Sequence, residues 1–371
     1  MANRSSHSTT QRPVTMKDIA LQCGVSTFTV SRVLNKQPGI NGQTAERVLA
    51  AATALGYDPA KNMIARRLVQ RRYGTQAVNS AVGLIFPDRF FRVPYFVELF
   101  QGVMDILTQS GFSVLSTTHR GSATHLQAPL TLPEAYTRGE VDGVILLGHP
   151  RYFAPLVERL RGDEGFGPRP IISLIRPIAG CRAVTARDRQ AGYLAARHLL
   201  TLGHRQIAHL QYGTPTYEID EREVGFRQAC AEWGLDPAAH LHPVRLTPGD
   251  SPEECTTHAI VQAVRAHPAL TAVIALNDPT AMAAYYALTC AGVGVPDAIS
   301  LVGVDNSELL PNERGENLLT TVDLSLATLG QIAARLILRQ IQAQDEVPEE
   351  PPAPRVIVRA TTAPPPAHGG Y

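Results

Sequence analysis

The 371-residue chain has no apolar run of the roughly 20 residues a membrane-spanning helix requires, which excludes a helical membrane protein. Its opening, MANRSSHSTTQRP, is polar and carries no apolar h-region, so residues 1–14 read as a disordered tail and not as a secretory signal. Cysteine is sparse and unpatterned: Cys23, Cys181, Cys230, Cys255 and Cys290 are odd in number, scattered, and form no C-x-x-C pair. That excludes a disulfide framework and a zinc site and fits a reducing cytoplasm. Catalytic signatures are missing too. Neither G-x-S-x-G nor H-E-x-x-H occurs, GVGVP is a lone G-x-G, and HLHP (240–243) has no third metal ligand nearby and reads as a loop.

What is present is a long, moderately apolar chain, 44% hydrophobic and 18% charged, which suits a folded protein of two or three domains. The net charge is only +1, but it is unevenly spread. Residues 1–73 carry eleven Lys and Arg against three acids, whereas acids outnumber bases in the remainder. A basic head on an acidic body points to a polyanion partner for the head alone.

The first folded unit spans 15–58. TMKD (15–18) has the form of a capping box opening a helix. Gly24 in CGV suits a tight turn, and Ser26 is placed to cap a second helix whose Val30, Val33 and Leu34 share one face. A third helix follows in NGQTAERVLAAATALGY, with Gly56 at its end. Three short helices with a tight turn between the first two form a helix-turn-helix arrangement. Residues 59–80 then contain a short Arg-rich segment, NMIARRLVQ, and a polar linker.

From Ala81 the pattern changes. Short β-branched runs, AVGLIF, FSVLST, VDGVILLG, PIISLI, IAHLQ, TAVIALN and ISLVGVD, alternate with helical stretches such as 95–111 and 190–203, and RVIVRATT (355–362) supplies a last strand. Near-continuous apolar strands separated by helices predict parallel sheets covered on both faces, here divided between two α/β lobes.

Taken in order, TMKDIALQCGVSTFTVSRVLN, TAERVLAAATALGYDP, ARRL, VDGVILLG, LGHRQIAHL, REVGFRQA, ALNDPTAM, GVPDAISLVGVDN and LLTTVDLS resemble the LacI/GalR family of bacterial transcription regulators over nearly the whole chain. The resemblance implies a multidomain chain. An all-α helix-turn-helix head (15–58) and a hinge helix (59–80) would precede a two-lobed α/β body of the periplasmic-binding-protein-like type (81–362), with 363–371 as a tail. The N-lobe would comprise 81–176 and 325–346, and the C-lobe 177–324 and 353–362. The chain would cross between lobes near Arg176, Asp323–Ser325 and Glu346–Pro352. The implied protein is a cytoplasmic, nucleoid-associated homodimeric repressor. It would bind double-stranded operator DNA and a carbohydrate effector, without metal or cofactor and without a membrane. No heptads follow the last strand to suggest a larger assembly.

With Val30, Val33 and Leu34 committed inward, the second helix leaves Thr27, Phe28, Ser31 and Arg32 outward. By family position Thr27, Phe28 and Arg32 contact base edges in the major groove, where Arg32 can donate two hydrogen bonds to guanine and Phe28 can only pack on apolar edges such as a thymine methyl. Thr15, Ser26, Thr29, Ser31 and Asn35 are expected at phosphates, which position the helix without specifying sequence. In the hinge, Leu68 matches the side chain wedged into the minor groove, flanked by Arg66 and Arg67. The spacing from YDP to ARRL is about two residues longer than the family pattern.

The resemblance also assigns an effector cleft to Tyr95, Phe96, His149, Arg222, Asn277 and Asp305. Phe96 either faces that cleft or fills the lobe core. Arg, Asn and Asp together can grip several hydroxyls at once. Ile175 and the pair Arg187-Asp188 depart from the usual residues, and Asp220 and Glu221 add acidity beside Arg222. An aldose, an oligosaccharide and a sugar acid all remain consistent with this pattern. The two competing function classes are a solute-binding transport protein and an α/β enzyme. The first is opposed by the missing signal and the basic head, the second by the missing catalytic motifs.

Overall fold

A computed structural model describes residues 14–34, 39–57, 79–87, 93–119, 134–148, 150–163, 166–212, 217–246, 252–345 and 347–367. Asn35, Arg66, Arg67, Leu68 and His149 lie outside these residues. The chain divides into two compact units, Met1–Asn79 and Ser80–Tyr371.

The first unit contains α1 (Met16–Cys23), α2 (Thr27–Leu34) and α3 (Gly42–Ala54). Asp18 reaches back to the start of α1, where its carboxylate accepts from the backbone N–H of Thr15 at 2.8 Å and from its hydroxyl at 2.7 Å. Gly24 ends α1 with φ 60°, and the Val25 N–H folds back to the Ala20 carbonyl. Ser26 Oγ accepts from the Thr29 N–H at 3.0 Å and so caps α2. Ile19, Ala20, Val30, Val33, Val48, Ala51 and Ala52 form the core. Arg47 of α3 ties the end of α1 down, donating to the Cys23 carbonyl at 3.1 Å.

In the second unit β1 (Ala81–Pro87), α4 (Pro94–Gln109), β2 (Ser113–His119), α5 (Glu134–Thr137), β3 (Gly143–Leu147), α6 (Pro150–Gly162), β4 (Ile171–Leu174) and β5 (Arg182–Val184) follow one another. They build a five-stranded, wholly parallel sheet of order β2-β1-β3-β4-β5. Next come α7 (Asp188–Leu202), β6 (Ile207–Tyr212), α8 (Tyr217–Glu232), α9 (Pro237–His240), β7 (Leu241–Leu246), α10 (Pro252–Ala266), β8 (Ala272–Ile274), α11 (Asp278–Cys290), β9 (Ser300–Asp305) and β10 (Thr320–Asp323). With the final β11 (Arg355–Ile357) they form a sheet of order β11-β10-β9-β8-β6-β7, parallel except for the β10–β11 pair. Helix α12 (Leu326–Ile341) returns to pack on α4 of the first lobe. The strands β3, β4, β9 and β10 are buried along their whole length, which explains the largely apolar reading of the first three.

Three expectations need correction. The first crossing does not fall near Arg176, because β5 pairs with β4 and keeps residues through Val184 in the first sheet; the Ile175 N–H donates to the Val184 carbonyl at 2.8 Å. HLHP is not a loop: His240 ends α9 and His242 lies in the edge strand β7. Residue 363 does not begin a tail. The Ala363 carbonyl meets His204 Nε2 and Ser300 Oγ, each at 2.9 Å, so it is pinned to the second lobe.

Each lobe brings two helices into backbone contact through a pair of glycines. A Cβ on Gly102 of α4 would lie 1.9 Å from the Ala327 carbonyl oxygen, and one on Gly330 of α12 would lie 2.1 Å from that of Leu99. In the second lobe the same holds for Gly192 of α7 against the Arg222 carbonyl and for Gly225 of α8 against the Arg189 carbonyl, each at 2.1 Å. Neither contact can relax by a side-chain rotation. Gly192→Ala is therefore expected to lower stability by about 1–3 kcal/mol, the usual cost of overpacking. Urea denaturation measures this, and wild-type stability would show that α7 and α8 can part freely.

Candidate functional sites: a DNA-reading helix and a buried ion cluster

On the head, α2 presents Thr27 and Phe28 outward, with Phe28 67% exposed. Arg32, one turn later, places its guanidinium over the Phe28 ring at 5.7 Å from the centroid. Thr29 and Ser31 are half-buried. The Ser26 and Thr29 hydroxyls meet at 2.9 Å, and the Thr15 hydroxyl donates to Asp18, so all three are already engaged in ordering helix starts.

In the second lobe, β8 and β6 flank the point where strand order reverses, the position at which open α/β sheets receive ligands. Arg222 is carried there by α8 and is 5% exposed. Its Nε donates to Asp188 Oδ1 at 2.8 Å, its Nη2 to Asp305 Oδ1 at 3.2 Å, and its Nη1 to the carbonyl of Leu276. Asp188 opens α7 and Asp305 ends β9, and both are buried. Asp305 (φ 116°) and Asn306 (φ 58°) lie in succession in the left-handed region, a strain held in place by surrounding bonds. One of those bonds runs from Arg359 Nη2 to Asn306 Oδ1 at 2.8 Å.

Electrostatics follow from burial. Desolvation lowers the Arg222 pKa, but the Asp188 and Asp305 carboxylates outweigh it, and the net shift is upward. Burial raises the Asp305 pKa well above its ordinary value, with Asp278 and Asp188 adding to the shift and Arg222 opposing it. The hydroxyl of Tyr95, on α4 of the first lobe, is raised by burial and then by the Asp305 and Asp188 charges. Tyr95 therefore lies within electrostatic reach of Arg222 and Asp305. Phe96 packs edge-on against the Tyr95 ring at 5.3 Å and against the first-lobe core.

Asn277 is more constrained than expected. Its Oδ1 accepts from the Thr280 N–H at 3.1 Å and caps α11, so the side-chain oxygen is engaged within the chain. Two residues were not singled out from the sequence. In the sequence Asp188 reads only as a departure from a common pair; its place at a helix start is legible, but its pairing with a buried arginine 34 residues away is not. Asp278, completely buried, accepts from Thr321 Oγ1 and from the Ser307 N–H at 2.9 Å, joining α11, β10 and the loop after Asp305. Among the described residues no group of three His, Cys, Asp or Glu could hold a metal ion, and no helix is long and apolar enough to cross a membrane.

A model of the bacterial regulatory proteins of the lacI family matches residues 15–60, and one of the periplasmic binding protein-like domain matches residues 196–362. The regulator MalR of Streptomyces coelicolor is 30% identical over 377 residues, covering 96% of this chain and 98% of that protein. The chain belongs to the lacI family. Among solved structures, a LacI-family regulator from Enterococcus faecium with bound ribose is 28% identical with TM-score 0.62, covering 76% of this chain and 99% of that one. The regulator CelR in complex with cellobiose is 25% identical with TM-score 0.59, covering 94% and 100%. This LacI-family chain is thus a DNA-binding transcription regulator with an effector domain, and its relatives are transcription regulators rather than enzymes.

Burial raises the Asp278 pKa to about 7, with the Thr321 hydroxyl and the backbone N–H groups of Ser307 and Glu308 opposing the shift. The folded protein keeps this proton between pH 4 and 7 while the unfolded chain releases it, so the group's contribution to stability is lost as pH rises toward 7. Asp278→Asn is expected to flatten the fall in unfolding free energy over that window, by up to about 1.4 kcal/mol per pH unit. Denaturation series at stepped pH measure the slope, and an unchanged slope would rule out titration of Asp278 in this range.

Proposed function

We propose that the head reads operator DNA through Thr27, Phe28 and Arg32 and that the Arg222 cluster, with Tyr95, Phe96 and Asn277, binds a neutral carbohydrate between the lobes. The observation that carries the ligand class is the buried Asp188–Arg222–Asp305 arrangement. Asp188 and Asp305 are already paired with the Arg222 guanidinium, so an incoming sugar acid would have to compete with buried partners for it in a desolvated site. Sugar hydroxyls both donate and accept, and they match the remaining N–H donors and carboxylate lone pairs without adding charge. The sugars held by the ribose and cellobiose complexes are of this neutral class.

Two copies would present two heads to a pseudo-palindromic operator, in keeping with two-fold symmetry. Arg66, Arg67 and Leu68 are assigned to the minor groove between them, Thr15, Ser26, Thr29, Ser31 and Asn35 to phosphates, and His149 to the cleft. The regulator acts in the cytoplasm on nucleoid DNA. Effector and operator then change each other's affinity by the same factor.

Thermal shift of the full-length protein against D-ribose, D-glucose, cellobiose, D-gluconate and D-galacturonate tests the ligand class. A neutral sugar at about 100 times its dissociation constant adds about 2.7 kcal/mol of stability. Stabilisation by the acids alone would overturn the neutral reading. Replacing Arg222 with Met is expected to abolish the shift and to destabilise the protein by about 3–5 kcal/mol, since two buried carboxylates lose their counter-ion.

A further inference from the structure

We infer that Phe28 and Arg32 work as one reading unit, in which the ring positions the guanidinium for a guanine that has a thymine beside it. The inference deepens the assignment of Arg32 to a base edge and rests on it. The two residues are four apart on α2, a spacing that puts side chains on the same helix face. The guanidinium lies over the Phe28 ring at 5.7 Å, within the range of a cation–π contact. The loop after α2 approaches as well: a Cβ on Gly39 would sit 3.2 Å from Arg32 Nη2.

With the ring and the Gly39 backbone both close to it, the guanidinium is ordered before DNA arrives, which reduces the entropy lost on binding. The two-acceptor edge of guanine, O6 with N7, matches its fork of donors. The ring that supports it is 67% exposed and has no hydrogen-bonding group. Its open rim therefore suits a thymine methyl in the neighbouring pair. Phe28 is in this sense both a contact and a positioning residue.

Selection of bound sequences from a randomised duplex library by the full-length protein, followed by titration of the selected duplex at fixed salt, tests the unit. Wild type is expected to select a guanine flanked by thymine. Phe28→Ala should lose the thymine preference and also lower the guanine preference about 2- to 5-fold, the worth of an exposed cation–π contact. Phe28→Leu should keep the thymine preference and lose guanine preference to the same degree. In an Arg32→Ala background, Phe28→Ala should cause no further loss at the guanine position. Circular dichroism of each variant confirms that the helices are intact. If both Phe28 variants keep wild-type guanine preference while Arg32→Ala loses it, the coupling is wrong and Arg32 reads alone. If Arg32→Ala changes no single base position, the underlying assignment of Arg32 fails instead.

Discussion

The second lobe is organised around a single buried cation. Arg222 joins the start of α7, the turn after β8 and the end of β9, three segments far apart in sequence. Burying such a cluster costs several kcal/mol per ion before attraction offsets it, so its value for stability is small. Its value lies in geometry. The guanidinium's directed donors give each strand end one permitted position, and the strained backbone of Asp305 and Asn306 persists because bonds from Arg222, Arg359 and Asp278 hold the residues around it. At the proposed site a ligand would meet a surface already set, with its polar groups already desolvated during folding.

The head solves a similar problem without buried charge. Its core is made of small and β-branched residues, and its helix starts are closed by Asp18, Ser26 and Asn41. Because Val30 and Val33, with Leu34 packed beside them, fix α2 inward, Thr27 and Phe28 are left exposed on its outer side. That separation allows a phenylalanine to stand on the surface, where a reading helix can use it.

Much of this was legible from residue order. The buried strands announced themselves as apolar runs, and the head's caps were visible in TMKD and in Ser26. Of the four edge strands, β2 and β11 were legible and β5 and β7 were not. RAV and LHPVRL carry alternating or polar residues because one side of an edge strand faces outward, and β7 shows that alternation in its burial. β10, TTVD, is fully buried yet polar, since its threonines find partners in Thr361, Thr362 and Asp278. Asp188 escaped notice for a related reason. Its partner is chosen by how α7 lies on α8, which sequence spacing does not encode. For Asn277 the structure shows the local capping role, and the proposed ligand contact falls to the other atom of the same amide.

The glycine pairs carry a separate implication. Where two helices touch backbone to backbone, neither can slide without a carbonyl striking a Cα, so each pair behaves as one solid piece. Gly102 with Gly330 and Gly192 with Gly225 thus assign rigidity to the helix–helix contacts of each lobe. Tyr95, Phe96 and Asn277, proposed above for the ligand, belong to a different set. A lineage of such proteins can exchange what it recognises by altering the second set while leaving the first untouched. Descent with a changed ligand then requires no new architecture.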